Sequence, residues 1–253
     1  MTRPAPLDAA RELIGERFPA ATQAWLGGSV VLGEATATSD LDITVLDESA
    51  VVHRESLVFE GWPVELFVHS EASIRHFVAK DLAQRKPTMA RLIARGVELL
   101  PGDAGAAIRR HCEQTLEAGP GPLSPDELDG SRYALSDLVD DLRGAIPGPI
   151  GAAIAVEAWR RTAELVLAVN GHWTGGGKWL ARELLTLDEA AGTTWATTLH
   201  ESLQLAVAGD TTPLERAADV ALAKAGGRLW DGHHQVAAFR GERVAPVMDD
   251  SNR

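Results

Sequence analysis

Apolar and polar positions change period twice within the first hundred residues. Leu7, Ala10, Leu13, Ile14 and Phe18 recur at helical spacing and predict an amphipathic helix near the N-terminus. Ala24-Trp25-Leu26 then runs as a short apolar strand into Gly27-Gly28-Ser29, a tight turn. Residues 30–33 are expected to open a short helix, and 34–39 form a polar loop. Residues 41–46 alternate again as a second strand. Two more strands, 54–59 and 63–68, flank Glu60-Gly61 as a hairpin. Helical periodicity returns over 71–80 and 88–95.

The second half has a different texture. Residues 102–125 are rich in breakers, above all Gly119-Pro120-Gly121-Pro122, and predict a seam. Beyond it the pattern predicts helices over 129–145, 150–169, 178–191, 193–208 and 213–230, and no strand. Long amphipathic helices with short connections pack as antiparallel neighbours. The expected fold class is therefore α+β. A small domain with a mixed or antiparallel sheet spans 1–103, a linker 104–125, an up-and-down helical bundle 126–240 and a loose tail 241–253.

Charge narrows the partners. The 253 residues carry a formal net charge of -12, so a DNA duplex is not expected as a main partner. A small polyanion such as a nucleotide needs metal ions or a local basic pocket to bind such a chain. A cationic acceptor is drawn by the overall field. The single cysteine, Cys112, excludes an internal disulfide, and no ligand spacing suggests zinc. No apolar run is long enough for a membrane span, and the polar N-terminus does not resemble a signal peptide. A reduced, cytoplasmic protein is expected. Oligomeric state is not legible.

One constellation carries chemistry. Ten residues after Gly28-Ser29 comes Asp40-Leu41-Asp42, at the start of a strand, where the two carboxylates share a face. Two like charges so close are reconciled by a divalent cation. Glu65 lies within Val64-Glu65-Leu66-Phe67-Val68, where a charge is costly unless paired or bound to metal. Three hard oxygen ligands suit Mg²⁺, and a pair of such ions would serve both the attacking and the leaving oxygens of a phosphoryl group. Glycine at 28 lets the backbone approach a phosphate, and the Ser29 hydroxyl can bond it. Ser39 is counted with them as a nucleotide contact.

The segment LGGSVVLGEATATSDLDITV resembles the signature of the polymerase-β-like nucleotidyltransferase superfamily. Within it, the chain is most similar to the two-domain aminoglycoside nucleotidyltransferases and related bacterial proteins. The likeness covers about the first hundred residues, and the helical half only in outline. It implies that Asp40 and Asp42 are metal ligands, that Glu65 is a third ligand or a base, and that Gly28-Ser29 grips a triphosphate, with ATP favoured. In similar proteins the bundle supplies an acid near the acceptor. Asp141, beside Leu138 and Leu142 in SDLVDDL, is the candidate. Lys178, in Gly175-Gly176-Gly177-Lys178-Trp179, opens a helix and is a phosphate-binding candidate, although the stretch lacks the spacing of a P-loop. Gln84-Arg85-Lys86-Pro87 and Arg91 are expected at the solvated surface, as are His233 and His234. Trp173, Trp179 and Trp195 are expected in helix packing.

The expected activity is magnesium-dependent nucleotidyl transfer from a nucleoside triphosphate to the hydroxyl of a small, aminoglycoside-like acceptor. The alternatives are a toxin-like enzyme modifying tRNA or protein, and a nucleotide-binding protein without catalysis.

Overall fold

The computed structural model describes residues 3–236, and the tail expected over 241–253 lies outside the described residues. The chain is α+β. Helix α1 (Pro6–Arg17) is followed by strands β1 (Gln23–Gly27), β2 (Leu41–Leu46), β3 (His53–Phe59) and β4 (Trp62–His69). Then come α2 (Glu71–Ala83), α3 (Thr88–Ala94), the short β5 (Val97–Glu98) and α4 (Ala106–Ala118). The helical half holds α5 (Pro125–Gly144), α6 (Pro149–Val169), α7 (Lys178–Ala191), α8 (Trp195–Val207) and α9 (Thr212–Lys224). Among the described residues, no helix is long and apolar enough to cross a membrane.

The five strands form one mixed sheet in the order β3-β4-β2-β1-β5. Only β2 and β4 are parallel, and the other pairs are antiparallel. Side-chain alternation sorts the strands between two layers. Ala24, Leu26, Leu41, Ile43, Val45, Val64, Leu66 and Val68 face α1 and bury its Leu13 and Ile14. Trp25 and Leu46 point the other way, into a core shared with α2, α3 and α4. Asp42, Glu65 and Phe67 belong to that second face by the same alternation.

The bundle closes its own core, with Leu135, Val139, Leu142, Leu167, Leu184, Leu199, Leu214 and Leu222 buried together. A capping box at Ser124 and Glu127 starts α5 four residues before the periodicity did, because caps are written in polar residues that a hydrophobic period does not register. Residues 30–33 form turns rather than a helix. Within the breaker-rich stretch, 106–118 form α4, whose Ile108 and Cys112 are fully buried against Trp25 and α3. Trp230, expected in the last helix, lies beyond α9 and stacks on Tyr133 with ring centroids 5.4 Å apart.

Candidate active site

The topology brings the three predicted acids together. In the β2–β4 ladder Asp42 stands directly opposite Glu65, and in the β1–β2 ladder it stands opposite Gly27. Asp40 precedes β2 by one residue and shares the face of Asp42. One carboxylate oxygen from each of Asp40, Asp42 and Glu65 lies within 4.8 Å of the others, and all three residues are half-buried. Burial pushes Asp42 up from 3.8 to about 6, and the neighbouring carboxylates of Asp40 and Glu65 add to the effect. Lys178 and Arg54 oppose it. The cluster thus holds more negative charge than its surroundings accommodate. Three hard oxygen donors in that state fit a small divalent cation such as Mg²⁺.

Gly28 is fixed at this turn for two reasons. Its φ of +75° is one that side chains disfavour. A Cβ built on it would also lie 2.1 Å from Asp42 Oδ2. The next side chain, Ser29, is buried and shares a 3.0 Å hydroxyl–hydroxyl hydrogen bond with Ser39, whose oxygen accepts from Thr36 N–H at 2.8 Å. Ser39 thereby ties the two ends of the 29–39 loop together.

A cavity of about 430 Å³ opens over the cluster, lined by Gly28, Ser29, Asp40, Asp42 and Glu65 and, from the helical half, by Gly175, Gly176, Lys178, Trp179 and Arg182. The chain's two halves meet here through specific contacts. Arg91 on α3 pairs with Glu183 on α7, with only 10% and 8% of the side chains exposed. Burial pushes Glu183 up and Arg91 down, and their mutual contact opposes both changes. Arg182 pairs with Glu34 in the 29–39 loop. Thr174 donates its backbone N–H to the Arg85 carbonyl at 2.9 Å, and Arg85 donates to the Gly121 carbonyl at 2.9 Å. The guanidinium groups of Arg91 and Arg182 each lie over the Trp179 ring, at 4.7 and 4.8 Å from its centroid.

Several expectations change. The basic group after the sheet is not a solvated surface: Arg85 is buried, and Lys86 and Arg91 line the cavity. Trp173 and Trp195 are buried, as packing predicts, but Trp179 forms part of the cavity wall. Asp141 is exposed on α5 and does not line this cavity. Leu142, its neighbour, is fully buried, and one residue along a helix rotates the side chain by about 100° away from that stripe. Asp137 is likewise exposed outside the cavity, and Asp140 pairs with Arg228 at 2.8 Å. His233 stacks on Tyr133, with centroids 4.1 Å apart, and is only partly exposed.

Arg54 is a neighbour of the three acids that local periodicity does not flag. Its guanidinium donates to both Glu65 oxygens, at 2.5 and 2.6 Å, while stacking over Phe67. A signal for it exists. The two-residue Glu60-Gly61 turn fixes Ser56 opposite Glu65, which puts Arg54 diagonally across on the same face.

No family model matches the chain, and no curated protein matches it. Among solved structures, a nucleotidyltransferase-like protein from Exiguobacterium sibiricum 255-15 aligns over 87% of this chain and 77% of its own. The identity is 12% and the TM-score 0.39, too low to bear on function.

Proposed function

We propose that the protein is a metal-dependent nucleotidyltransferase that moves a nucleoside monophosphate from a nucleoside triphosphate to the hydroxyl of a small acceptor. The carrying observation is the convergence of Asp40, Asp42 and Glu65 within 4.8 Å, beside the Gly28-Ser29 turn and beneath a cationic wall. Asp40, Asp42 and Glu65 would hold Mg²⁺, as one ion or two, and bound Mg²⁺ supplies charge neutralisation at the phosphates.

The remaining roles fall to side chains of the chain itself. The Gly28-Ser29 backbone and the Ser29 hydroxyl, steadied by Ser39, hold triphosphate oxygens. Lys178 approaches the same phosphates from the start of α7. Arg54 is close enough to leave Glu65 and meet developing negative charge. In the transfer, the acceptor oxygen bonds to the α-phosphorus as the bond from that phosphorus to the departing pyrophosphate breaks. The hydroxyl proton passes to a carboxylate of the cluster. ATP is the favoured donor in this reading.

The test is direct. Incubation with Mg²⁺, each labelled nucleoside triphosphate and an acceptor panel should release pyrophosphate, and Asp42→Asn should abolish the release without unfolding the protein. Absence of magnesium-dependent nucleotide binding and of pyrophosphate release with every triphosphate would overturn the reading.

A further inference from the structure

The charges around the cavity are arranged differently from those of the chain as a whole. Against a net charge of -12, the cavity is lined by six cationic side chains and three acidic ones. Three of the cations have partners: Arg54 with Glu65, Arg91 with Glu183 and Arg182 with Glu34. Among the described residues, the other three, Lys86, Arg95 and Lys178, have no ion pair. Of the three acids lining the cavity, Asp40 and Asp42 are likewise without an ion pair among the described residues.

Lys178 belongs to the α7 side of the cavity, and Lys86 and Arg95 to the α3 side. Thr88, Arg91, Leu92 and Arg95 all line it, at the spacing that gives one face of a helix. Arg91 on that face and Arg182 on α7 each carry an unmet donor: Arg91 Nε and Arg182 Nη1 are buried without a hydrogen-bond partner among the described residues.

A triphosphate bound with two divalent ions would not change this balance, because two divalent ions bring as much positive charge as a nucleoside triphosphate brings negative. Asp40, Asp42 and Glu65 are the acids that would hold the metal; Lys178 acts on Asp42, and Lys86 and Arg95 line the α3 side of the cavity. After the metal ligands are assigned, no acid lining the cavity remains to receive an ammonium group. A polycationic acceptor would meet Lys86 and Arg95 on the cavity wall.

We infer that the acceptor is anionic, carrying a phosphate or carboxylate that Lys86 and Arg95 bind beside Arg91. This rests on the nucleotidyl-transfer reading for the identity of the reaction, and replaces the cationic acceptor that the whole-chain charge suggested. The whole-chain figure averages over acidic surfaces remote from the cavity, such as Asp137 and Asp141 on α5.

The experiment is a charge series on one sugar ring. Glucose 6-phosphate, glucuronate, glucose and glucosamine are titrated into the protein with Mg²⁺ and a non-hydrolysable ATP analogue. The same series is repeated on a Lys86→Gln/Arg95→Gln variant. Neither side chain is in the hydrophobic core, so the variant should melt like the wild type. The expected result is binding of at least one anionic sugar about ten-fold or more tighter than glucose, with glucosamine weakest and the advantage lost in the variant. The phosphate and carboxylate arms show which anion is preferred. A flat series, tighter binding of glucosamine, or an anion preference that survives in the variant would overturn the inference. The ATP analogue's own binding is measured first. If it fails to bind while the anion preference persists, the transfer reading falls and the anion site stands.

Discussion

Replacing Asp42 with asparagine should stabilise the metal-free protein while removing its activity. The asparagine keeps the shape of the side chain and deletes the charge. Asp42 is pushed from 3.8 to about 6, first by burial and then by Asp40 and Glu65. A carboxyl raised in the folded state favours folding while protonated; that contribution is whole below about pH 3.8, falls as pH rises from there, and is gone above about 6. A rise of roughly two pH units at 1.36 kcal/mol each sets an upper figure of about 3 kcal/mol. Asp42 is partly open to solvent, so about 1–2 kcal/mol is the reasonable yield. For a chain of this length that corresponds to a Tm about 3–6 °C higher. The assay is thermal unfolding in EDTA from pH 3.5 to 8, with wild type and variant side by side. The two should nearly coincide at pH 3.5, where Asp42 is largely protonated in the folded and the unfolded chain alike, diverge between about pH 4 and 6, and stay a constant distance apart above that. Millimolar Mg²⁺ should raise the wild-type Tm and leave the variant nearly unchanged. A variant that melts at or below the wild type at pH 7.5 in EDTA would refute the view that these carboxylates repel one another, as would a difference that does not depend on pH.

Three other outcomes follow from the geometry. Gly28→Ala places a Cβ 2.1 Å from Asp42 Oδ2 at a φ of +75°, and should cost about 1–3 kcal/mol in denaturant unfolding and nearly all pyrophosphate release. Glu183→Gln leaves Arg91 buried without its counter-charge and should destabilise by about 3–5 kcal/mol, whereas Arg91→Met/Glu183→Leu should recover most of that in a double-mutant cycle. Glu60 sits at φ +46° beside Gly61 at +81°, the conformation of a type I′ turn, so Glu60→Asn should raise stability by about 0.5–1 kcal/mol, read by calorimetry.

What could be read from the chain, and what could not, divides by the range of the interaction. The strand-turn-strand of Gly28-Ser29 and Asp40-Leu41-Asp42 is local, so the period of two already put both aspartates on one face. Glu65 was legible as an anomaly, a charge among Val64, Leu66 and Val68. The parallel pairing that sets it opposite Asp42 was not, because it depends on how β4 returns to the sheet after β3. The Arg54 pair lay one step further, available only by counting residues back from the hairpin turn. Arg91 and Glu183 are 92 residues apart, and nothing in either local pattern points to the other. For that reason Lys86 and Arg91 were expected in solvent and Asp141 in the cleft, and the structure reverses both. Helix α4 was obscured by the breakers that flank it, although Ile108 and Cys112 lie four apart on its buried face.

The fully buried Cys112 bears on how the cavity can be watched at work. It is the sole thiol of the chain, and burial pushes it up to about 12. At neutral pH roughly one molecule in 10⁵ carries the thiolate that alkylating reagents attack. Cysteines introduced at Val58 on β3 and Val220 on α9, both well exposed, would therefore take up paired spin labels with almost no background from the native thiol. The distance between the labels would then report directly whether the sheet and the helical half draw together when a nucleotide enters.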